Sequence, residues 1–325
     1  MRSPLVTLAA AFAAAVVLAG CGTTEPAASS SASAGAQRIT LTDATGAKVE
    51  LDAPAKKVVG TEWDVVEHLV SLGVEPVGVA DVKGYTAWDA SAPLKNAPKD
   101  IGTRGEPSMD TVAALAPDLI VANTDLPAAA VEQLREIAPV LAVDSADSAD
   151  QIGRMQENLD LIAEATGTTA EAGRLKKAFD AKVAEGKKTL ADAGLAGREI
   201  AFADGYVVSH QVSVRPYTSG SLLGNVNTAI GLKNAWSIKG DKDYGLGTTD
   251  VEGLSDLGDV EFAYIGNDGE TSDPFADDLA ENSVWKGLPF VEKGNVHHLP
   301  DGIWMFGGTR SMEAYIDAVV GALTK

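Results

Sequence analysis

Between Lys56 and Asp144 the sequence alternates two patterns. Short apolar runs, "KKVVGTE", "VEPVGVAD", "DLIVAN" and "PVLAVD", are interleaved with segments whose apolar residues recur every three or four positions, "WDVVEHLVSLG", "SMDTVAALA" and "PAAAVEQLREIA". Apolar strands separated by helix-length connections predict a mostly parallel sheet covered by helices on both faces. From about Ser148 to Ala193 the alternation stops, and the chain reads as nearly continuous helix broken near "TGTT". It resumes with the strand "REIAFADGY", the helices "YTSGSLLGNVNTAIGL" and "DVEGLSDLG" and the strand "VEFAYIGN". A helix ending in "VWKGL", the strand "NVHHLP" and the helix "RSMEAYIDAVVGALT" complete it. A hairpin, "RITLTDATGAKVEL", precedes the whole pattern.

At 325 residues the chain is long for a single core. The expected fold is therefore α/β: two α/β lobes of mostly parallel sheet joined by a long helical segment. The boundaries expected are 38–147 for the N-terminal lobe, 148–193 for the helical segment and 194–325 for the C-terminal lobe. A weak internal repeat agrees with this division. "PSMDTVAALAPDLIVA" and "TDVEGLSDLGDVEFAYI" both run from an acidic residue through a helix into a strand, which sets Asp110 opposite Glu252.

The first twenty residues differ from everything after them. Arg2 precedes an apolar run that ends at Leu18-Ala19-Gly20-Cys21, and this reads as an export signal over 1–20. Its end resembles the lipobox of bacterial lipoproteins, which implies cleavage before Cys21 and acylation of that cysteine; the alternative is an uncleaved membrane helix, for which the run is shorter than the ~20 residues needed. Residues 21–37 are rich in Ser, Ala and Gly and read as a flexible tether, with an end-to-end distance of about 20 Å. The protein is then expected outside the cytoplasmic membrane, held to the cell membrane by its lipid. Cys21 is the only cysteine, so intramolecular disulfides, thiolate metal sites and cysteine nucleophiles are excluded. Acidic side chains outnumber basic ones 46 to 26, which argues against a nucleic-acid partner.

Catalytic signatures are missing. "TSGSLLG" is out of register with a nucleophile elbow, "GLGTTD" lacks the third glycine of a dinucleotide loop, and there is no Walker loop. Of the histidines, His297 and His298 would point to opposite faces of a strand, and His68 reads as a surface residue beside Glu67. Neither these nor His210 suggests a metal held directly by the protein. No catalytic residue and no cofactor are assigned.

The stretch from "VVGTEWDVVEHLV" through "DIGTRGEPSMD" to "DLIVA" resembles the first lobe of the ferric-siderophore substrate-binding proteins of ABC importers, most closely the hydroxamate binders. The likeness continues through "GLKNAWSIKGDKDYGLGTTDVEGLSDL" and "GIWMFGGTRSMEAYIDAV", and covers about 38–325. It implies a two-lobed protein with a rigid interlobe helix. Such a protein binds chelated iron in the cleft between the lobes and hands it to a membrane permease. Arg104 matches the arginine that bonds the iron-bound hydroxamate oxygens, Trp88 and Tyr244 match aromatic wall positions, and Trp304 and Phe306 match an aromatic run near the ligand. Asp110 and Glu252 match acids that meet arginines on the permease. One departure stands out: the hydroxamate binders carry a pocket tyrosine after the strand "DLIVAN", where this chain reads "TDLPAAA".

The residues themselves fit this expectation. A ferric trihydroxamate presents oxygens on one side and hydrocarbon on the others, so its site needs aromatic walls and a few fixed donors. A guanidinium supplies planar, permanently charged donors, each bond contributing roughly 1.5–3 kcal/mol. The alternative for Arg104 is a surface salt bridge, and the alternative for the aromatics is packing, which Trp63, Trp236 and Trp285 suit better than Trp88. Arg215 is a candidate second donor. The expected function is capture of a ferric hydroxamate siderophore by a monomeric lipoprotein that is not an enzyme, with iron(III) present only in the chelate. The rivals are cobalamin or haem capture by the same fold, and an exported metal-chelate hydrolase or reductase.

Overall fold

The computed structural model describes residues 38–209, 211–267 and 272–325. The stretches expected to be an export signal and a tether, with Cys21, and also His210, lie outside the described residues. Strands β1 (Ile39–Thr42) and β2 (Lys48–Leu51) pair antiparallel, as the hairpin pattern predicts. Then come β3 (Val58–Gly60), α1 (Trp63–Ser71), β4 (Gly78–Val79), α2 (Val82–Trp88), β5 (Lys99–Asp100) and a small hairpin of β6 (Gly102–Thr103) and β7 (Glu106–Pro107). Helix α3 (Met109–Leu115), β8 (Leu119–Asn123), α4 (Ala128–Arg135) and β9 (Val140–Val143) complete the first half. Its sheet runs β5-β4-β3-β8-β9 with every pair parallel.

Two helices follow, α5 (Gln151–Thr166) and α6 (Thr169–Asp192). Gly167 ends the first at φ +71°. Each helix is shared between the two cores. Met155 of α5 packs with the second core and Leu159 and Ile162 with the first; Ala172 and Leu175 of α6 pack with the first and Phe179 and Leu190 with the second. At 24 residues α6 is about 36 Å long, enough to span both.

The second half contains β10 (Glu199–Val208), β11 (Gln211–Pro216), α7 (Leu222–Ala229), β12 (Lys233–Asn234) and β13 (Glu261–Ile265). Next are α8 (Ser283–Lys286), α9 (Pro289–Glu292), β14 (Val296–Leu299) and α10 (Thr309–Leu323). The sheet order is β11-β10-β13-β14, with β12 beside β10; only β11 is antiparallel. The chain is thus a mixed α/β protein with two largely parallel sheets.

Five details differ from the sequence reading. Strand β11 was not expected, because "QVSVRP" has no continuous apolar run. The helix over 217–232 is shorter, starting only where the Ser221 side chain caps it, and "DVEGLSDLG" forms just a 3-10 turn, Glu252–Asp256. Trp88, placed among turn residues, is the last residue of α2. His68 is buried, not on the surface, because α10 covers the face of α1 that carries it; burial pushes its imidazole down to about 4, so it is neutral.

Candidate functional site

A cavity of about 420 Å³ opens between the two sheets. The first half contributes the start of α1 and the segments just beyond β8 and β9, so the cavity lies at the carboxyl ends of parallel strands, where α/β sheets bind ligands. The second half contributes Arg215 on β11, the loop carrying Tyr244 and Leu246, and the loop after β14 carrying Trp304 and Phe306.

Arg104 stands at the turn of the β6–β7 hairpin. That turn depends on Gly102 at φ +103°, where a Cβ would sit 3.0 Å from the Glu106 carbonyl oxygen. Its guanidinium lies 4.0 Å from the centroid of Trp63 and 5.4 Å from that of Trp304, and Nη1 donates to Glu62 Oε1 at 2.9 Å. The ion pair expected as an alternative therefore exists, but inside the cavity wall, and it engages one of the five N–H donors an arginine carries. Glu62 also caps α1 by accepting the Trp63 N–H.

Arg215 faces Asp204 across the β10–β11 register. Its Nε donates to Oδ1 at 2.9 Å, Nη2 donates to Oδ2, and Cζ lies 5.5 Å from the Phe306 centroid. Burial opposes its charge, but Tyr217 and Asp204 more than offset this and its pKa is raised further.

The aromatics form a connected wall. Trp304 meets Trp63 edge-on at 4.8 Å and Phe306 at 5.2 Å, and Tyr244 meets Phe306 at 5.6 Å with rings nearly perpendicular. Trp88 stands outside the lining residues and packs 6.4 Å from Trp304, behind the wall. The Tyr244 hydroxyl donates to Asp125 from the opposite half of the molecule, and burial followed by this bond pushes its pKa up. Asp125 lies in "TDLPAAA", so the stretch that departs from the hydroxamate pattern still supplies a cavity residue. Asp110 and Glu252 lie away from the cavity, both exposed, in the helical turns that lead into β8 and β13. Those strands hold matching positions beside β3 and β10.

The sequence reading missed the acidic part of the site. Besides Glu62 and Asp125, Asp64 lines the cavity; it is 5% exposed, and its Oδ1 has no hydrogen-bond partner. Burial, then repulsion by Glu62, raises its pKa to about 7. Asn123 and Ser145 complete this wall. The available signal was position: Glu62, Asn123, Asp125 and Ser145 all closely follow apolar strands of a parallel sheet. Among the described residues no group of three or more His, Cys, Asp or Glu could hold a metal ion, and no helix is long and apolar enough to cross a membrane.

Comparison with known proteins accords with this architecture. The family model described as periplasmic binding protein matches residues 58–302. The probable siderophore-binding lipoprotein YfiY of Bacillus subtilis is 27% identical, the match covering 98% of each chain. The iron(3+)-hydroxamate-binding protein FhuD of Escherichia coli is 24% identical over 82% of this chain and 86% of its own. Among solved structures, the siderophore-binding protein FhuD of Vibrio cholerae with bound Fe3+-Desferal superposes with a TM-score of 0.74 at 25% identity, covering 83% of this chain and 98% of its own.

Proposed function

The chain belongs to the periplasmic binding protein family, and on that premise we propose that it captures a ferric hydroxamate siderophore outside the cytoplasmic membrane and presents it to an ABC importer. One observation carries the reading: a cleft between two sheets in which Arg104 is stacked on Trp63 beside Trp304, Phe306 and Tyr244. The aromatic faces suit the hydrocarbon of the chelate, and the remaining donors of Arg104 suit its exposed oxygens. Arg215 is a second donor, and Trp88 steadies the wall through Trp304. The names of the relatives support the same cargo: FhuD of Escherichia coli is an iron(3+)-hydroxamate-binding protein, and FhuD of Vibrio cholerae is a siderophore-binding protein with bound Fe3+-Desferal.

In this reading the protein binds and releases without turning its ligand over, and iron enters only as chelated cargo. Cys21 carries the lipid that anchors it to the membrane, residues 21–37 form the tether, and the lobes divide at the two helices α5 and α6. Asp110 and Glu252, one per lobe, are the docking points for permease arginines. An acid in a first helical turn also favours the helix dipole, which accounts for their positions but not for their matching across the two halves.

Titration of intrinsic tryptophan fluorescence tests the assignment. Ferric desferrioxamine or ferrichrome should quench it saturably, while a ferric catecholate, cobalamin and haem should not. Saturable binding of haem or cobalamin, with none of the hydroxamates, would reverse the assignment. Chemical change in the recovered chelate would point instead to an enzyme.

A further inference from the structure

The charges of the cleft do not balance. Three carboxyl groups, Glu62, Asp64 and Asp125, line the cavity, and a fourth, Asp204, is bonded to Arg215; against these stand two guanidiniums. Arg104 neutralises Glu62 and Arg215 neutralises Asp204. Asp125 receives a hydrogen bond from Tyr244 but no charge, and among the described residues no cation stands within ion-pair distance of Asp64 or Asp125. Asp64 is the more exceptional of the two. It is 5% exposed and lines the cavity, and its Oδ1, itself enclosed, has no hydrogen-bond partner. A buried carboxylate oxygen left unbonded costs free energy, unless something absent from the free protein satisfies it.

That missing group has definable chemistry. It must donate hydrogen bonds and compensate negative charge, and it must be small, because Asp64 is almost wholly enclosed. A primary ammonium meets all three demands, with three donors around a compact charge. The adjoining aromatic wall of Trp63, Trp304, Phe306 and Tyr244 also tolerates a cation better than an anion. A ferric trihydroxamate has no net charge at its iron centre, so the positive charge must sit on an arm of its organic shell.

We propose that Asp64, with Asp125 beside it, forms a cation subsite that receives a pendant primary ammonium of the ferric hydroxamate, so that the preferred cargo is a positively charged chelate. This inference rests on the function proposed above and adds the charge class of the cargo.

Two probes with the same iron centre separate the possibilities: linear ferric desferrioxamine, whose free end is a primary amine, and its N-acetylated form. The wild-type protein should bind the amine form at least about tenfold tighter, as expected for one charge-assisted bond. Asp64→Asn, nearly isosteric, should bring the ratio of the two affinities close to one, whereas a purely steric penalty from the acetyl group would persist in that variant. Asp125→Asn should narrow the ratio as well, and serves if Asp64→Asn does not fold. Equal affinities in the wild type, or an unaltered ratio in a folded Asp64→Asn protein, would overturn the subsite while leaving hydroxamate capture standing. Failure to bind either chelate would overturn both.

Discussion

In the proposed function ligand capture turns on Arg104, and the environment of that residue sets what its replacement should do. Arg104→Ala removes the donors aimed at the chelate and leaves Glu62 unpaired in the wall, so affinity for ferric hydroxamates should fall at least about tenfold. Arg104→Lys keeps the charge but loses the planar fork and the stacking on Trp63, and should recover only part of that loss in the same titration. Asp64 makes a separate prediction about stability. Its native pKa is raised from 3.8 to about 7, by burial first and by Glu62 next, with a smaller push from Glu67, while the Val65 N–H and the Ser145 side chain oppose the shift; Arg104 and Arg215 line the same cavity. The stability contributed by its proton is therefore fully present below about pH 4 and is lost as pH rises through about 7. Asp64→Asn should gain on the wild type in thermal stability between pH 5 and pH 8. An equal difference in melting temperature at the two pH values would contradict the assignment.

At the scale of elements, one contact that ties the halves together is the start of α10. Its first residues carry no side-chain cap of their own; Glu67 of α1 reaches across and accepts the Gly308 N–H at 2.7 Å and the Ser311 N–H at 2.9 Å. Gly307 makes room for this, since a Cβ there would lie 2.1 Å from Glu67 Oε2. Beside it Asp89 is held protonated, by burial first and by the charge of Glu67 next. Glu67→Ala should lower unfolding stability by about 2–4 kcal/mol, with Glu67→Gln intermediate, measured by urea titration; no change would mean that the cap contributes nothing. The same element shows where sequence reading ends. Strands β3, β8 and β9 were legible because their apolar runs survive any tertiary context. The burial of Glu67 and His68 was not, because a polar face in "WDVVEHLVS" looks solvated until a second element covers it. Strand β11 escaped because an edge strand alternates polar and apolar residues and ends here in Pro216. Arg104 was legible through family resemblance, but Asp64 and Asp125 were not: among 46 acidic side chains, only folding distinguishes the few that line a cavity.

The whole molecule holds its cleft between two sheets whose cores share α5 and α6. In the proposed function, Asp110 and Glu252 serve docking and not ligand binding. Asp110→Ala combined with Glu252→Ala should leave ligand affinity intact and impair siderophore-dependent iron uptake in cells; normal uptake would remove both residues from docking. The most direct test of the account is a crystal structure of the complex with ferric desferrioxamine. It should place the chelate in the cavity between Trp304, Phe306 and Tyr244, with hydroxamate oxygens within hydrogen-bond distance of Arg104. A chelate bound elsewhere on the protein, with Arg104 still bonded only to Glu62 and the cavity unfilled, would contradict it.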